Sequence, residues 1–147
     1  MILKSICRKV QRVYKIALTT LLVAVISLSS LFIGVENIVS LNQPVGEVAM
    51  YSRFDLAVLP VGVGLFVFVI LGCFYVLKEE RWEDRHGPVL PLSIVGAFII
   101  AFVVTMVTPT IYESKFKQAG LTQCSGLPAT YLPMFGKKFA IDSSDCK

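Results

Sequence analysis

An uninterrupted apolar stretch from Leu56 to Leu77, without one ionisable side chain, is the feature that most constrains this chain. As a helix rising 1.5 Å per residue it would be roughly 33 Å long, and the hydrocarbon core of a bilayer is about 30 Å thick. Because lipid offers the backbone no hydrogen-bonding partners, a single span of this kind must be helical. Asp55 bounds the stretch on one side and Lys78 on the other. It therefore predicts a transmembrane helix.

Two further uncharged stretches, Ile16–Val35 and Gly87–Tyr112, flank the central one, and only 16% of the residues are charged, against about a quarter in soluble domains. We therefore predict an all-α membrane protein with three transmembrane helices. The predicted order is a basic amphipathic N-terminus at 1–15, the first span at 16–35, an outer loop at 36–55, the second span at 56–77, an inner loop at 78–87, the third span at 88–109 and a tail at 110–147.

The distribution of basic residues predicts the orientation of the three helices. Those on the proposed cytoplasmic side are Lys4, Arg8, Lys9, Arg12 and Lys15 before the first span and Lys78, Arg81 and Arg85 in the inner loop, whereas Arg53, Lys115 and Lys117 lie near the outer ends. Because cytoplasmic segments carry the excess of Lys and Arg, the N-terminus is expected inside and the tail outside. The predicted location is a bacterial inner membrane, with the tail in the periplasm.

The N-terminal segment 2–15 has apolar residues at helical spacing opposite its basic residues, which is typical of a helix at a membrane surface. A cleavable signal peptide is the alternative, but the following apolar run is long and no A-x-A-like site comes after Gly34. We favour a retained helix. A basic run next to a span usually contacts anionic lipid, so membrane lipid is expected as a partner and nucleic acid is not.

Small residues recur along one side of the first and third spans, which predicts close helix packing, because small side chains let helix backbones approach within a membrane. They are Thr20, Ala24, Ser27 and Gly34 in the first span, and Ser93, Ala97, Ala101 and Thr105 at four-residue spacing in the third. Internal packing is the favoured explanation, and a docking face for a partner is the alternative. Pro60, Gly62 and Gly64 are expected to loosen or kink the second span.

The four cysteines divide between the two predicted compartments. Cys7 and Cys73 lie at or near the reducing side, where packing or simple exposure is expected, with acylation of Cys7 as an alternative. Cys124 and Cys146 both lie in the predicted oxidising compartment, which predicts a disulfide between them. Within this tail, a capping-box pattern from Thr110 to Glu113 predicts that a helix restarts after Pro109 and ends near Gly120. A short strand is predicted at 137–142.

Signs of an enzyme are almost absent. His86, the single histidine, lies in the charged inner loop, and no predicted span contains an Asp, Glu, Lys, Arg or His residue of the kind that marks proton relays. The sequence shows no nucleophile elbow, phosphate-binding glycine loop or metal-spaced Cys/His cluster. We therefore expect no enzymatic activity, no cofactor and no metal.

The tail carries a pattern of aromatic, glycine and cysteine residues: Tyr112, Phe116, Ala119, Gly120, Leu121, Cys124, Tyr131 and Cys146. It resembles a family of small bacterial inner-membrane proteins of unknown function, in which "Y…L…GY…C…YV…C" follows the last of three or so spans. Phe116 and Leu121 depart from the usual leucine and tyrosine. Small membrane proteins of this size also resemble immunity proteins, which protect a bacterium from a toxin. The resemblance implies no catalytic residues.

The expected function is that of an immunity-type binding protein that neutralises a membrane-acting or periplasmic toxin. Interfaces favour aromatic residues and methionine, so Tyr131, Met134 and Phe135 are the expected anchors, with Lys137 and Lys138 at a polar rim. Phe139 is expected to fill the small core of the tail instead. The alternative function is an accessory subunit or assembly factor of a larger membrane complex.

Overall fold

The computed structural model describes residues 2–124 and 136–146. The elements are α1 (Ile2–Leu41), β1 (Val48–Ser52), α2 (Val58–Lys78), α3 (Trp82–His86), α4 (Val89–Gln118), β2 (Thr122–Gln123), β3 (Gly136–Ala140) and a 3₁₀ turn (Ser143–Cys146). Within these residues, three helices (α1, α2 and α4) are long and apolar enough to cross a membrane. The predicted multi-pass helical architecture is thereby confirmed.

Helix α2 packs against both α1 and α4 and so holds the bundle together. The three strands gather where α1 ends and α2 begins, and we name this the sheet end. The opposite end, where α2 ends and α4 begins, carries α3 and is named the α3 end. Half of the inner loop predicted at 78–87 is thus this short helix.

The contact between α1 and α2 is built from the small residues of the first span. Ser27 is fully buried, and its hydroxyl donates a hydrogen bond of 3.0 Å to the carbonyl of Gly62. A Cβ placed on Gly34 would lie 2.8 Å from Cα of Leu59, which is closer than real Cβ contacts come. Small residues therefore bring these two backbones together, as the stripe predicts.

The contact between α2 and α4 uses part of the predicted stripe on the third span. Ala97 and Ala101 are buried, and a Cβ placed on Gly64 would lie 3.2 Å from Cβ of Ala97. Thr105 is half-buried and donates within its own helix to the Ala101 carbonyl. Ser93 is exposed and bonds to the Leu90 carbonyl in the same way. The close approach of α2 and α4 is therefore made at Ala97 and Ala101, in the middle of the stripe. Ser93, the first residue of the stripe, lies outside this contact.

Helix α2 runs from Val58 to Lys78 without a break, so the residues that were expected to loosen or kink the second span do not interrupt it. Pro60 is the third residue of this helix, in the first turn, where a backbone amide has no partner within the helix to lose. Gly62 and Gly64, which the sequence suggested would loosen the helix, are buried at its contacts with α1 and α4.

Helix α1 continues past the predicted end of the first span to Leu41. The Asn37 side chain donates to the Asp55 carbonyl at 2.7 Å, and the Lys115 ammonium donates to the carbonyls of Leu41 at 2.6 Å and Gln43 at 2.7 Å. The last carbonyls of a helix lack partners and carry partial negative charge, so an ammonium group there is stabilising. These tertiary contacts support the extra turns.

Helix α4 also continues beyond its predicted end, through Pro109 to Gln118, so the predicted restart at Thr110 is wrong. A proline removes one amide donor, but Tyr112 and Phe116 in the following turns are buried, which favours an unbroken helix. Glu113 does not cap a helix and instead bonds to side chains from two strands. Gly120, with φ of +83°, follows the end of the helix, as predicted.

The sheet joins the predicted outer loop to the tail. Strand β3, predicted at 137–142, lies at 136–140 between β1 and β2, antiparallel to both, with Met50 opposite Lys138 and Thr122 opposite Ala140. The predicted disulfide between Cys124 and Cys146 is present, with the two Cα atoms 5.4 Å apart. Strand β1 lies in a segment that was predicted as a loop, so its pairing with β3 was not predicted.

Candidate binding surface

A cluster of aromatic and aliphatic side chains fixes the sheet to the helices. The rings of Tyr51 and Tyr112 stack with centroids 5.2 Å apart and planes 4° apart, and those of Phe116 and Phe139 lie 5.3 Å apart. Phe139, expected to fill the core of the tail, is 1% exposed. The buried cluster consists of Tyr51, Leu56, Tyr112, Phe116, Leu121 and Phe139. The tail therefore shares its core with β1, with the turn between β1 and α2, and with α4.

A polar link lies beside this cluster. Oε1 of Glu113 accepts hydrogen bonds from the Tyr51 hydroxyl at 2.9 Å and from the Lys137 ammonium at 2.7 Å. Burial raises the pKa of the Tyr51 phenol, and the neighbouring Glu113 raises it further, so Tyr51 stays a neutral donor. One carboxylate on α4 therefore joins β1 to β3.

The turn between β1 and α2 is closed by Asp55, whose Oδ2 accepts a hydrogen bond of 2.7 Å from the Ser52 amide. Burial raises the pKa of the Asp55 carboxyl, and the hydrogen bond from the Ser52 amide opposes that shift. Because the Asp55 carbonyl also accepts from Asn37, the end of β1 is tied to α1. Strand β1 is thus held at both of its flanks.

The face of the sheet that points away from the cluster carries Val48, Met50 and Lys138, and we name it the outer face. Side chains alternate along a strand, and Ala49 and Tyr51 point to the cluster. Val48 is 45% exposed and Met50 is 50% exposed. The Lys138 ammonium donates to the Asp145 carbonyl at 2.6 Å. On the outer face, the edge strand β1 therefore exposes apolar side chains, and Lys138 on the neighbouring strand β3 lies beside them.

Only two residues of the predicted recognition site lie in the part of the chain that the structure describes. Tyr131, Met134 and Phe135 lie outside the described residues. Lys137 and Lys138 point to opposite faces of β3, and the Lys137 ammonium pairs with Glu113. Lys137 thus contributes to the polar link beside the cluster, and the role of both lysines at a polar rim stays a prediction.

Sequence reasoning missed Val48 and Met50, because their segment was predicted as a loop. The signal was the run from Val48 to Tyr51, whose valine and tyrosine favour strands.

Elsewhere, His86 stacks on Trp82 with ring centroids 4.3 Å apart, and Cys73 is exposed on α2. Among the described residues, no group of three or more His, Cys, Asp or Glu is placed to hold a metal ion.

The sheet end lies within the part of the chain that matches a known family. The model of a family described as a protein of unknown function, DUF1240, matches residues 49–147. The chain belongs to the DUF1240 family. No curated protein and no solved structure shows a significant match.

The DUF1240 match begins at the second residue of β1 and includes α2, α4 and the tail. It contains every residue of the aromatic cluster, the Glu113–Lys137 pair and both cysteines of the disulfide. All of α1 precedes the match. The DUF1240 unit therefore coincides with the sheet end and the two helices that support it.

Proposed function

We propose that this DUF1240 protein is an immunity-type binding protein of the bacterial inner membrane that neutralises a membrane-acting or periplasmic toxin. The observation that carries the proposal is the outer face, where Val48 and Met50 expose apolar side chains on a strand that is otherwise firmly held. Methionine is enriched in protein interfaces, and exposed apolar groups in a fixed arrangement are typical binding anchors. Tyr131, Met134 and Phe135, which precede β3 in the sequence, remain predicted anchors.

The support beneath the outer face favours binding. Three interactions restrain the sheet: the stacked rings of Tyr51 and Tyr112, the Glu113–Lys137 ion pair and the Cys124–Cys146 disulfide. A surface that is ordered before contact loses little conformational entropy on association, so more of the contact energy contributes to affinity. A small sheet held in this way suits tight recognition of a folded partner.

The proposal places the sheet end in the periplasm and the N-terminus in the cytoplasm. The excess of Lys and Arg in the first turns of α1 and around α3 supports this orientation, as does a disulfide in the tail, because disulfides persist in oxidising compartments. We expect alkaline phosphatase, which is active only in the periplasm, to be active when fused after Lys147 and inactive when fused after Arg85. The reverse pattern would place the sheet end in the cytoplasm and contradict a periplasmic target.

The recognition role of the outer face predicts the effect of a paired charge substitution. Val48→Asp with Met50→Asp should weaken toxin binding about 30-fold or more, since loss of a hot spot costs about 2 kcal/mol or more and 1.4 kcal/mol is tenfold in affinity. Both side chains are about half exposed, so the fold should tolerate the change. The matched control is Asn42→Asp with Gln43→Asp, which adds the same charge at exposed positions of the sheet end outside the strands.

The probe for this experiment is the product of the gene adjacent to that of this chain, because immunity genes lie beside their toxin genes. Exported to the periplasm alone it should arrest growth, and co-expression of the unaltered chain or of the control variant should restore growth. The Val48/Met50 variant should accumulate in the membrane normally and fail to protect. If the neighbouring product is harmless and co-purifies stoichiometrically from membranes with this chain, the chain is instead an accessory subunit of a larger complex.

A further inference from the structure

A cavity of about 720 Å³ lies at the α3 end, far from the sheet. Residues of all four helices line it: Lys15 and Thr19 of α1, Phe68, Leu71 and Tyr75 of α2, Trp82 of α3, and Pro91 of α4 among them. Small-molecule sites occupy roughly 300–1,000 Å³, so the cavity is large enough for a ligand of that size. It lies where the charged inner segments meet the apolar spans.

The rim of the cavity is polar and mainly basic. Lys15 and Arg81 line it, and both are exposed, as is the one acidic lining residue, Glu83. Neither the Lys15 ammonium nor the Arg81 side chain has an ion pair or hydrogen bond with the described part of the chain. Two basic groups without partners at one rim favour an anionic ligand, and hydroxyl groups of the same ligand suit the carboxylate of Glu83.

The wall of the cavity becomes apolar with depth. Leu71 and Phe68 precede Tyr75 on α2 by one and two helical turns, which places them about 6 and 10 Å further into the bundle. Trp82 forms one side, and it is fixed by the ring of Phe74 at 5.1 Å as well as by His86. Tyr and Trp beside a charged rim, above aliphatic and aromatic side chains, match the change from headgroup to hydrocarbon in a bilayer leaflet.

We propose that this cavity binds one anionic phospholipid, with its phosphate between Lys15 and Arg81 and part of an acyl chain against Leu71 and Phe68. Phosphatidylglycerol has the matching chemistry, because its headgroup offers one negative charge to the two basic side chains and its glycerol hydroxyls can donate to Glu83. The site is independent of the function proposed for the sheet end. It assigns a ligand class to the α3 end.

The test measures lipid retention by native mass spectrometry on the full chain purified in mild detergent, with added phosphatidylglycerol or phosphatidylethanolamine. The unaltered chain should retain one phosphatidylglycerol, in preference to phosphatidylethanolamine. Lys15→Gln with Arg81→Gln should weaken retention about 30-fold, since each basic group near an anionic surface contributes roughly fivefold. The control, Lys78→Gln with Arg85→Gln, removes the same charge from exposed positions at this end that do not line the cavity, and should retain the lipid.

Two further measurements separate a cavity from general charge attraction and a lipid from free phosphate. Thr19→Trp fills the cavity from an exposed position without changing charge, and should abolish retention. Inorganic phosphate and glycerol 3-phosphate should not displace the lipid, because they lack the acyl chain. Equal losses in the Lys15/Arg81 and Lys78/Arg85 variants, full retention in Thr19→Trp, displacement by free phosphate, or equal retention of phosphatidylethanolamine would each overturn the proposal.

Discussion

Replacing Tyr51 by alanine is expected to open the sheet end while leaving the transmembrane helices in place. Tyr51 is 2% exposed, its ring stacks on Tyr112 and contacts those of Phe116 and Phe139, and its hydroxyl bonds to Glu113. Truncation of a buried aromatic side chain costs about 3–5 kcal/mol. Hydrogen–deuterium exchange in β1 and β3 should accelerate more than 100-fold, since each 1.4 kcal/mol is a factor of about ten.

Tyr51→Phe is the matched control, because it keeps the ring and removes only the hydroxyl. The lost hydrogen bond to a charged acceptor should cost about 1–2 kcal/mol, and Glu113 keeps its ion pair with Lys137. Exchange in β1 should then rise far less than in the alanine variant. Equal rates of hydrogen–deuterium exchange in the two variants would show that the stacked rings do not stabilise the sheet. Faster exchange throughout α2 as well would show that the sheet end and the helix bundle open together.

The second large effect is expected at Gly34, where a Cβ would meet the backbone of α2. In Gly34→Ala the new Cβ would lie 2.8 Å from the backbone of Leu59 in the first turn of α2. The atoms that it would meet are the backbone and Cβ of Leu59, which cannot rotate away. The two helices must therefore separate and lose the packing contacts around Gly34. We expect a destabilisation of about 1–3 kcal/mol, observed as a lower thermal midpoint in detergent and a lower level in the membrane.

Gly96→Ala provides the comparison within the same bundle. A Cβ at Gly96 meets nothing within 4 Å, and alanine is favoured over glycine inside helices by roughly 0.5–1 kcal/mol. The Gly96 variant should therefore be as stable as the unaltered chain or slightly more stable. A Gly34 variant with the same thermal midpoint as the Gly96 variant would mean that α1 shifts on α2 at no cost.

The sequence was sufficient to predict the features that depend on local composition. Uninterrupted apolar stretches predicted the three helices, and the cysteines of the tail predicted the disulfide. The stripe through Ser27 predicted that α1 packs closely, because small residues have few other uses in an apolar helix. The partner of that stripe was not predictable, since Gly62 on α2 could equally have faced lipid.

The features that the sequence did not predict depend on residues far apart in the chain. Strand β1 forms because β3 pairs with it, and the run from Val48 to Ser52 favours a strand by composition but shows neither its distant partner nor its outward face. Glu113 matched a capping pattern, yet the partners that decide its role are Tyr51 and Lys137. The same ion pair gives Lys137 a structural partner that its sequence position did not indicate.

The pairing of β1 with β3 also sets an order in which the chain can be assembled. Both α2 and α4 lie between these strands in the chain, so β1 leaves the ribosome well before its partner, by roughly 4–18 seconds at about 5–20 residues per second. Until then Tyr51 has no Phe139 to contact and Glu113 has no Lys137 to pair with. The sheet end is therefore the last part of the molecule to form, and a chain whose synthesis stops before β3 is left with an unpaired strand, which is a liability for aggregation.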